Sequence, residues 1–227
     1  MSTDWVEAFC AFCQGNLTDE VKETYHGRGV SEAQLTSYRL GYLSAPPPDF
    51  PVVYQWATEK RLSDALVLPL TTFGGRIRGF QFRTREYKRY LDLKVIPWGP
   101  DLFGAHQAAP LAYDTATLFL VEGVFDLFPL ARLYPNAVAT LTARVSQNLV
   151  RTVSRFCTRI VILYDKDETG QRATQEAVRR WGRTLTVDSV TLPQVAYEGA
   201  RWVKDLGELW EVWGDTRLHE YLQPRCT

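Results

Sequence analysis

Glu122 and Asp165 each close an uninterrupted apolar run, Thr117-Leu-Phe-Leu-Val before the first and Ile160-Val-Ile-Leu-Tyr before the second. Asp167 follows two residues later, and Gly170 ends the acidic stretch. Carboxylates brought together repel one another unless protons or cations intervene. With hard oxygen donors and no His or Cys beside them, the matching cation is Mg²⁺ or Mn²⁺. Acids around such an ion are equipment for phosphate chemistry.

A second group carries the opposite charge. Between Arg76 and Lys94 lie seven basic residues, Arg76, Arg78, Arg83, Arg85, Lys88, Arg89 and Lys94, against Glu86 and Asp92 alone. The chain as a whole is neutral, with 26 basic and 26 acidic residues, so this is a local excess. It reads either as a surface that tracks phosphates or as a solvated charged hairpin. Cys10-Ala-Phe-Cys13 has the spacing of half a zinc site, but Cys157 and Cys226 stand alone and no spaced His completes four ligands. Trp5, Val6, Phe9, Phe12 and Cys13 follow helical spacing, so these cysteines are expected to pack a helix.

The acids need elements to hold them. Apolar runs that do not alternate are typical of strands buried on both faces of a parallel sheet. From residue 117 the rhythm alternates: strand 117–122, helix 125–133, strand 137–141, helix 145–155, strand 159–165, helix 170–181 and strand 184–192. Such alternation argues for a doubly wound sheet, whose strand C-termini share one edge, where ligands bind. Upstream, helices are expected over 4–14, 18–25 and 31–39, the last opened by the capping pattern Ser31-Glu-Ala-Gln34. A short helix follows near 54–60, then a hairpin of strand 65–70, a Gly74-Gly75 turn and strand 76–83, where Ile77, Phe80 and Phe82 alternate with arginines. Asp205-Leu-Gly-Glu208 has capping chemistry for one last helix through about Leu222.

At 227 residues and 45% hydrophobic, the chain can bury one large core or two modest ones. No apolar run reaches the length of about 18 residues that a membrane helix needs, and the first residues lack the pattern of a secretory signal. Four cysteines suit a reducing cytoplasm.

Taken together, Val121-Glu122-Gly123-Val-Phe-Asp126, Tyr164-Asp165-Lys-Asp167-Glu-Thr-Gly170 and Lys204-Asp205 resemble the three signature segments of a Toprim domain. The flanks resemble the bacterial-type (DnaG-like) primase catalytic core: Tyr25-His-Gly-Arg28-Gly29, Gly74-Gly-Arg76-Ile-Arg78-Gly79-Phe80, Lys88-Arg89-Tyr90-Leu91, Leu102-Phe-Gly104 and Ala139-Thr-Leu-Thr142. The resemblance implies an α/β fold: an N-terminal mixed α+β basic subdomain over residues 1–110, a Rossmann-like parallel-sheet Toprim subdomain over 111–203, and a C-terminal helical tail over 204–227.

It also implies roles. Glu122, Asp165 and Asp167 would be catalytic and hold Mg²⁺ or Mn²⁺, with Asp126 and Asp205 as secondary acids of the same metal cluster. Arg76, Arg78, Arg83, Lys88, Arg89 and Lys204 would meet nucleic-acid or nucleotide phosphates, and Gly123 and Gly170 would be positions too crowded for a side chain. Structural alternatives stand beside two of these. Asp126 could simply favour its helix start, and Asp205 could be an N-cap. Phe80, Phe82, Tyr87 and Tyr90 are available for base stacking, although alternating Phe residues in a strand are more often core. The family's zinc-binding module and larger helical subdomain have no counterpart, so the chain reads as a bare catalytic core. The implied activity is primer synthesis from nucleoside triphosphates on single-stranded DNA, in the cytoplasm, with a replicative helicase as a possible partner and no membrane. The alternatives are a Toprim nuclease and a non-catalytic nucleic-acid-binding module.

Overall fold

The computed structural model describes residues 5–96, 102–142, 147–197 and 201–226. Two compact units emerge, Met1–Trp98 and Gly99–Thr227.

The first unit opens with helices α1 (Trp5–Gly15), α2 (Asp19–His26) and α3 (Glu32–Ser37), then strand β1 (Gly41–Leu43) and helix α4 (Pro51–Glu59). Strands β2 (Ala65–Thr71), β3 (Ile77–Thr84) and β4 (Tyr90–Lys94) complete an antiparallel sheet in the order β1-β2-β3-β4. Local chemistry sets the helix starts. Thr18 accepts from the Val21 amide, and Ser31 with Gln34 forms the reciprocal capping box. The core gathers Phe9, Cys10 and Cys13 of α1 against Phe80 and Phe82 of β3. Phe9 meets Phe80 edge-on at 5.0 Å and Phe50 at 5.2 Å, a geometry that suits the ring quadrupoles. Burial pushes the Cys10 thiol up to about 11, and both cysteines of the pair are free and buried, as helix packing requires.

Every position of β2 and β3 is buried, which departs from the half-solvated hairpin that the alternation suggested. An inner strand can be covered on both faces, and alternation of residue type cannot reveal that.

The second unit begins with α5 (Ala105–Thr115) and then winds through β5 (Thr117–Val121), α6 (Val124–Leu133), β6 (Ala137–Ala139), α7 (Gln147–Val153), β7 (Arg159–Leu163), α8 (Glu168–Trp181), β8 (Thr186–Ser189) and α9 (Leu206–Cys226). Residues 145 and 146 of the helix expected over 145–155 lie outside the described residues. All pairings of the sheet β6-β5-β7-β8 are parallel. From β5 the chain first steps outward to β6, then crosses back to β7 on the other side of β5. That reversal is a topological switch point, and it lies between the two strands that end in acid.

Helix α5 packs on β5 and β6 and groups with the second unit, as does α9, which packs on α6. The last helix is interrupted. Gly214 takes φ +68°, a left-handed value open to glycine, and two helical segments meet there. Asp215 just beyond accepts from the Trp210 indole at 2.8 Å and pairs with Arg132 of α6 at 2.6 Å, tying the bend to α6.

Candidate active site

Register decides where the acids fall. Val121 pairs with Leu163, so Glu122 emerges beside Tyr164 and one step from Asp165. The Leu141 amide holds the Glu122 carbonyl at 3.0 Å, and the Thr140 amide holds that of Val121 at 3.0 Å. Asp167 caps α8, its Oδ1 accepting from the Gly170 amide at 2.8 Å. Asp205 caps α9 in the same way through the Glu208 amide at 2.8 Å, and its other oxygen meets Lys204 Nζ at 3.1 Å. The Lys166 amide donates to the Lys204 carbonyl at 2.7 Å, joining the loop after β7 to the loop before α9.

Asp126 has a position that its type and spacing did not disclose. It is buried on the first turn of α6, with Oδ2 accepting from the Gly123 amide at 3.1 Å and Oδ1 from the Gly207 amide at 2.8 Å. The first bond closes the turn after β5; the second reaches the first turn of α9, 81 residues away in sequence. Asp126 thus clasps the turn after β5 to the start of α9. The glycines beside these acids are crowded. A Cβ on Gly123 would collide with the Asp126 carboxylate, and one on Gly170 with the Asp165 carbonyl.

The acids sense one another. Burial, then the charges of Glu122, Asp205 and Asp167, push the Asp165 carboxyl up to about 7, with Lys204 opposing. Burial and Asp167 raise Glu122. Burial, Asp205 and Asp165 raise Asp126 well above the usual carboxylate range, against its two amide donors. Beside Glu122, the Tyr164 hydroxyl is buried with no hydrogen bond of good geometry, although the Thr140 side chain lies close to it.

As the side chains stand, no three of His, Cys, Asp or Glu among the described residues are spaced to hold a metal ion. Asp126, Asp167 and Asp205 each direct oxygen to backbone amides. The donor chemistry nevertheless fits a hard divalent ion. The acids are oxygen-only, their ionisation is opposed by mutual repulsion, and an orphaned buried hydroxyl stands among them.

In the first unit, Arg76, Lys88 and Arg89 are exposed, with Tyr87 and Tyr90 exposed beside them. Arg78 and Arg83 are not. Both are buried on β3, Arg78 donating to the Ile96 carbonyl at 3.2 Å and Arg83 lying over the Tyr90 ring at 5.8 Å. As they stand, their guanidinium groups are covered within the fold. Phe80 and Phe82 likewise sit in the core, which leaves Tyr87 and Tyr90 as the aromatic residues available for stacking.

Residues 119–199 match the Toprim-like family. The chain is 30% identical over 151 residues to the DNA primase of Aquifex aeolicus, across 63% of this chain and 30% of that protein. It is 32% identical over 126 residues to the DNA primase of Synechococcus elongatus, across 52% of this chain and 18% of that protein. The chain therefore spans less than a third of the length of these relatives. Among solved structures, the Aquifex aeolicus primase with its zinc-binding and RNA polymerase domains superposes with a TM-score of 0.77 at 24% identity, covering 96% of this chain and 59% of that one. The RNA polymerase domain of Mycobacterium tuberculosis primase gives 0.76 at 16% identity, covering 96% and 81%. No helix among the described residues is long and apolar enough to cross a membrane. Residues 119–199 thus resemble a Toprim-like domain, within a sequence similar to bacterial DNA primases and a fold like that of their catalytic cores.

Proposed function

We propose that the chain is the catalytic core of a DNA primase, joining nucleoside triphosphates into short primers on a single-stranded DNA template. The observation that carries this reading is the β5–β7 register, which sets Glu122 beside Tyr164-Asp165 at the switch point of a Toprim-like sheet. A related primase catalytic domain has been solved with single-stranded DNA bound, which supports the choice of template.

Phosphoryl transfer asks a protein mainly to align oxygens and neutralise charge. Glu122, Asp165 and Asp167 would hold Mg²⁺ or Mn²⁺, which when bound makes a 3′-hydroxyl more acidic and offsets triphosphate charge. Lys204, on the same rim, supplies a cationic contact for a phosphate oxygen. The caps at Asp167 and Asp205 fix the two loops that present these groups. Because Asp165 gives up a proton only near pH 7, cation loading strengthens as pH rises through that value.

The test is incubation with single-stranded DNA, nucleoside triphosphates and Mg²⁺ or Mn²⁺, with ribo- and deoxynucleotides tried separately. Extension products that vanish in Asp167→Ala are expected. Cutting of the DNA in place of extension would overturn the primase reading in favour of a nuclease.

The template would lie along the exposed basic residues of the first unit. Replacing Arg76 or Lys88 by Ala should weaken binding of single-stranded DNA and lower the slope of log affinity against log salt by about 0.7 each. Fluorescence anisotropy across a salt series reads this directly. An unchanged slope would remove these residues from the phosphate track. Arg78→Ala should instead lower stability, because its guanidinium is buried.

A further inference from the structure

The chain between β8 and α9 contains a small antiparallel hairpin. Ala196 bridges Trp202, the Tyr197 amide donates to the Arg201 carbonyl at 2.9 Å, and the Val203 amide donates to the Val195 carbonyl at 2.9 Å. Val203 is buried, whereas Trp202 is 53% exposed and Lys204 is exposed. In extended chain alternate side chains share a face, so the inward Val203 turns Trp202 and Lys204 to the same outer side. They are one strand repeat apart, about 6.8 Å.

Lys204 is where the hairpin meets the acids. Its carbonyl takes the Lys166 amide between Asp165 and Asp167, and its ammonium stands 3.1 Å from Asp205. Nearby aromatic residues are engaged. Arg201 covers the Tyr197 ring at 4.3 Å, Arg132 covers Trp210 at 5.2 Å, and Arg217 covers Trp213 at 4.5 Å. The Trp202 indole has no ring or cation stacked on it among the described residues. A flat, half-exposed aromatic surface next to a phosphate-sized cationic contact matches the two ends of a nucleotide.

We propose that Trp202 stacks on the nucleobase of a nucleotide whose phosphates lie between Lys204 and the acidic rim. This rests on the primase reading and extends it to a base-contacting residue. Stacking on an indole tolerates all four bases, because each has a π-face. The nucleobase belongs either to an incoming nucleoside triphosphate or to the end of an oligonucleotide.

The test is calorimetry on the full chain in Mg²⁺, with ATP, inorganic tripolyphosphate and a thymidine oligonucleotide as separate titrants. Trp202→Ala is expected to weaken ATP binding about tenfold or more, Trp202→Phe to recover most of it, and tripolyphosphate binding to stay the same in all three proteins. A loss confined to the oligonucleotide would also support stacking and assign the base to the primer or template. Equal affinity of wild type and Trp202→Ala for both base-carrying ligands would overturn the proposal. So would a parallel loss of tripolyphosphate binding, which marks a collapsed hairpin. In either case wild-type extension activity would still stand, whereas a wild type that binds no ligand and extends no primer would overturn the primase reading as well.

Discussion

Asp165→Asn is expected to abolish nucleotide joining and, at the same time, to make the cation-free protein more stable at pH 8. The two effects have one origin. In the native state the Asp165 carboxyl is raised to about 7 from 3.8, by burial first and then by Glu122, Asp205 and Asp167. A raised carboxyl binds its proton more tightly in the folded state than in the unfolded chain. Its ionisation therefore costs native stability as pH rises, a cost absent below about pH 4 and complete above about pH 7. Solvent reaches part of the group, so the cost is on the order of 1–2 kcal/mol rather than the full shift. Asn keeps the shape and has no charge to bury. Urea unfolding at pH 8 should favour the variant by that amount, and the difference should fade towards pH 4. Added Mg²⁺ or Mn²⁺ should stabilise the wild type and leave the variant nearly unmoved. Loss of a ligand from the acid set should reduce extension by roughly three orders of magnitude or more. A variant less stable than wild type at pH 8 would show that Asp165 is a structural anchor instead.

Gly170→Ala should be the most damaging single methyl in the site. The added Cβ would press on the Asp165 backbone, with the carbonyl carbon at 2.9 Å and the amide nitrogen at 3.1 Å. Backbone cannot turn aside as a side chain does. Either the 165–167 loop or the first turn of α8 must move, and the Asp167 cap on Gly170 would be strained with it. Overpacking of this kind costs about 1–3 kcal/mol, and a misplacement of about 1 Å in a catalytic group costs about 10²-fold in rate. Gly207→Ala is the matched comparison. Its Cβ would meet carboxylate oxygens of Asp126 at 3.2 Å and Asp205 at 3.5 Å, contacts that a side chain can relieve. Melting curves and extension rates of the two variants should separate clearly. Wild-type behaviour in Gly170→Ala would mean that the close approach is not maintained in solution.

The parallel sheet and its acidic edge were legible because unbroken apolar runs have few explanations. Leu118–Val121 and Ile160–Leu163 could only be buried on two faces, and their C-terminal neighbours had to share an edge. The caps at Ser31 and Asp205 were legible for a local reason, since donor and acceptor lie three residues apart. The buried arginines were not. Arg78 and Arg83 alternate with apolar residues just as solvated ones would, and burial of an inner strand is a property of its neighbours. The link from Asp126 to Gly207 spans 81 residues, beyond any spacing rule. The bend at Gly214 was hidden because a lone glycine in a helical pattern is usually tolerated.

The carboxylate of Asp126 and the amide of Lys166 together tie the turns after β5 and β7 to the start of α9. Opening any of them must therefore disturb its neighbours. In hydrogen–deuterium exchange, the amides of Gly123, Lys166 and Gly207 should exchange as a cooperative group, and a ligand that clamps one loop should slow all three.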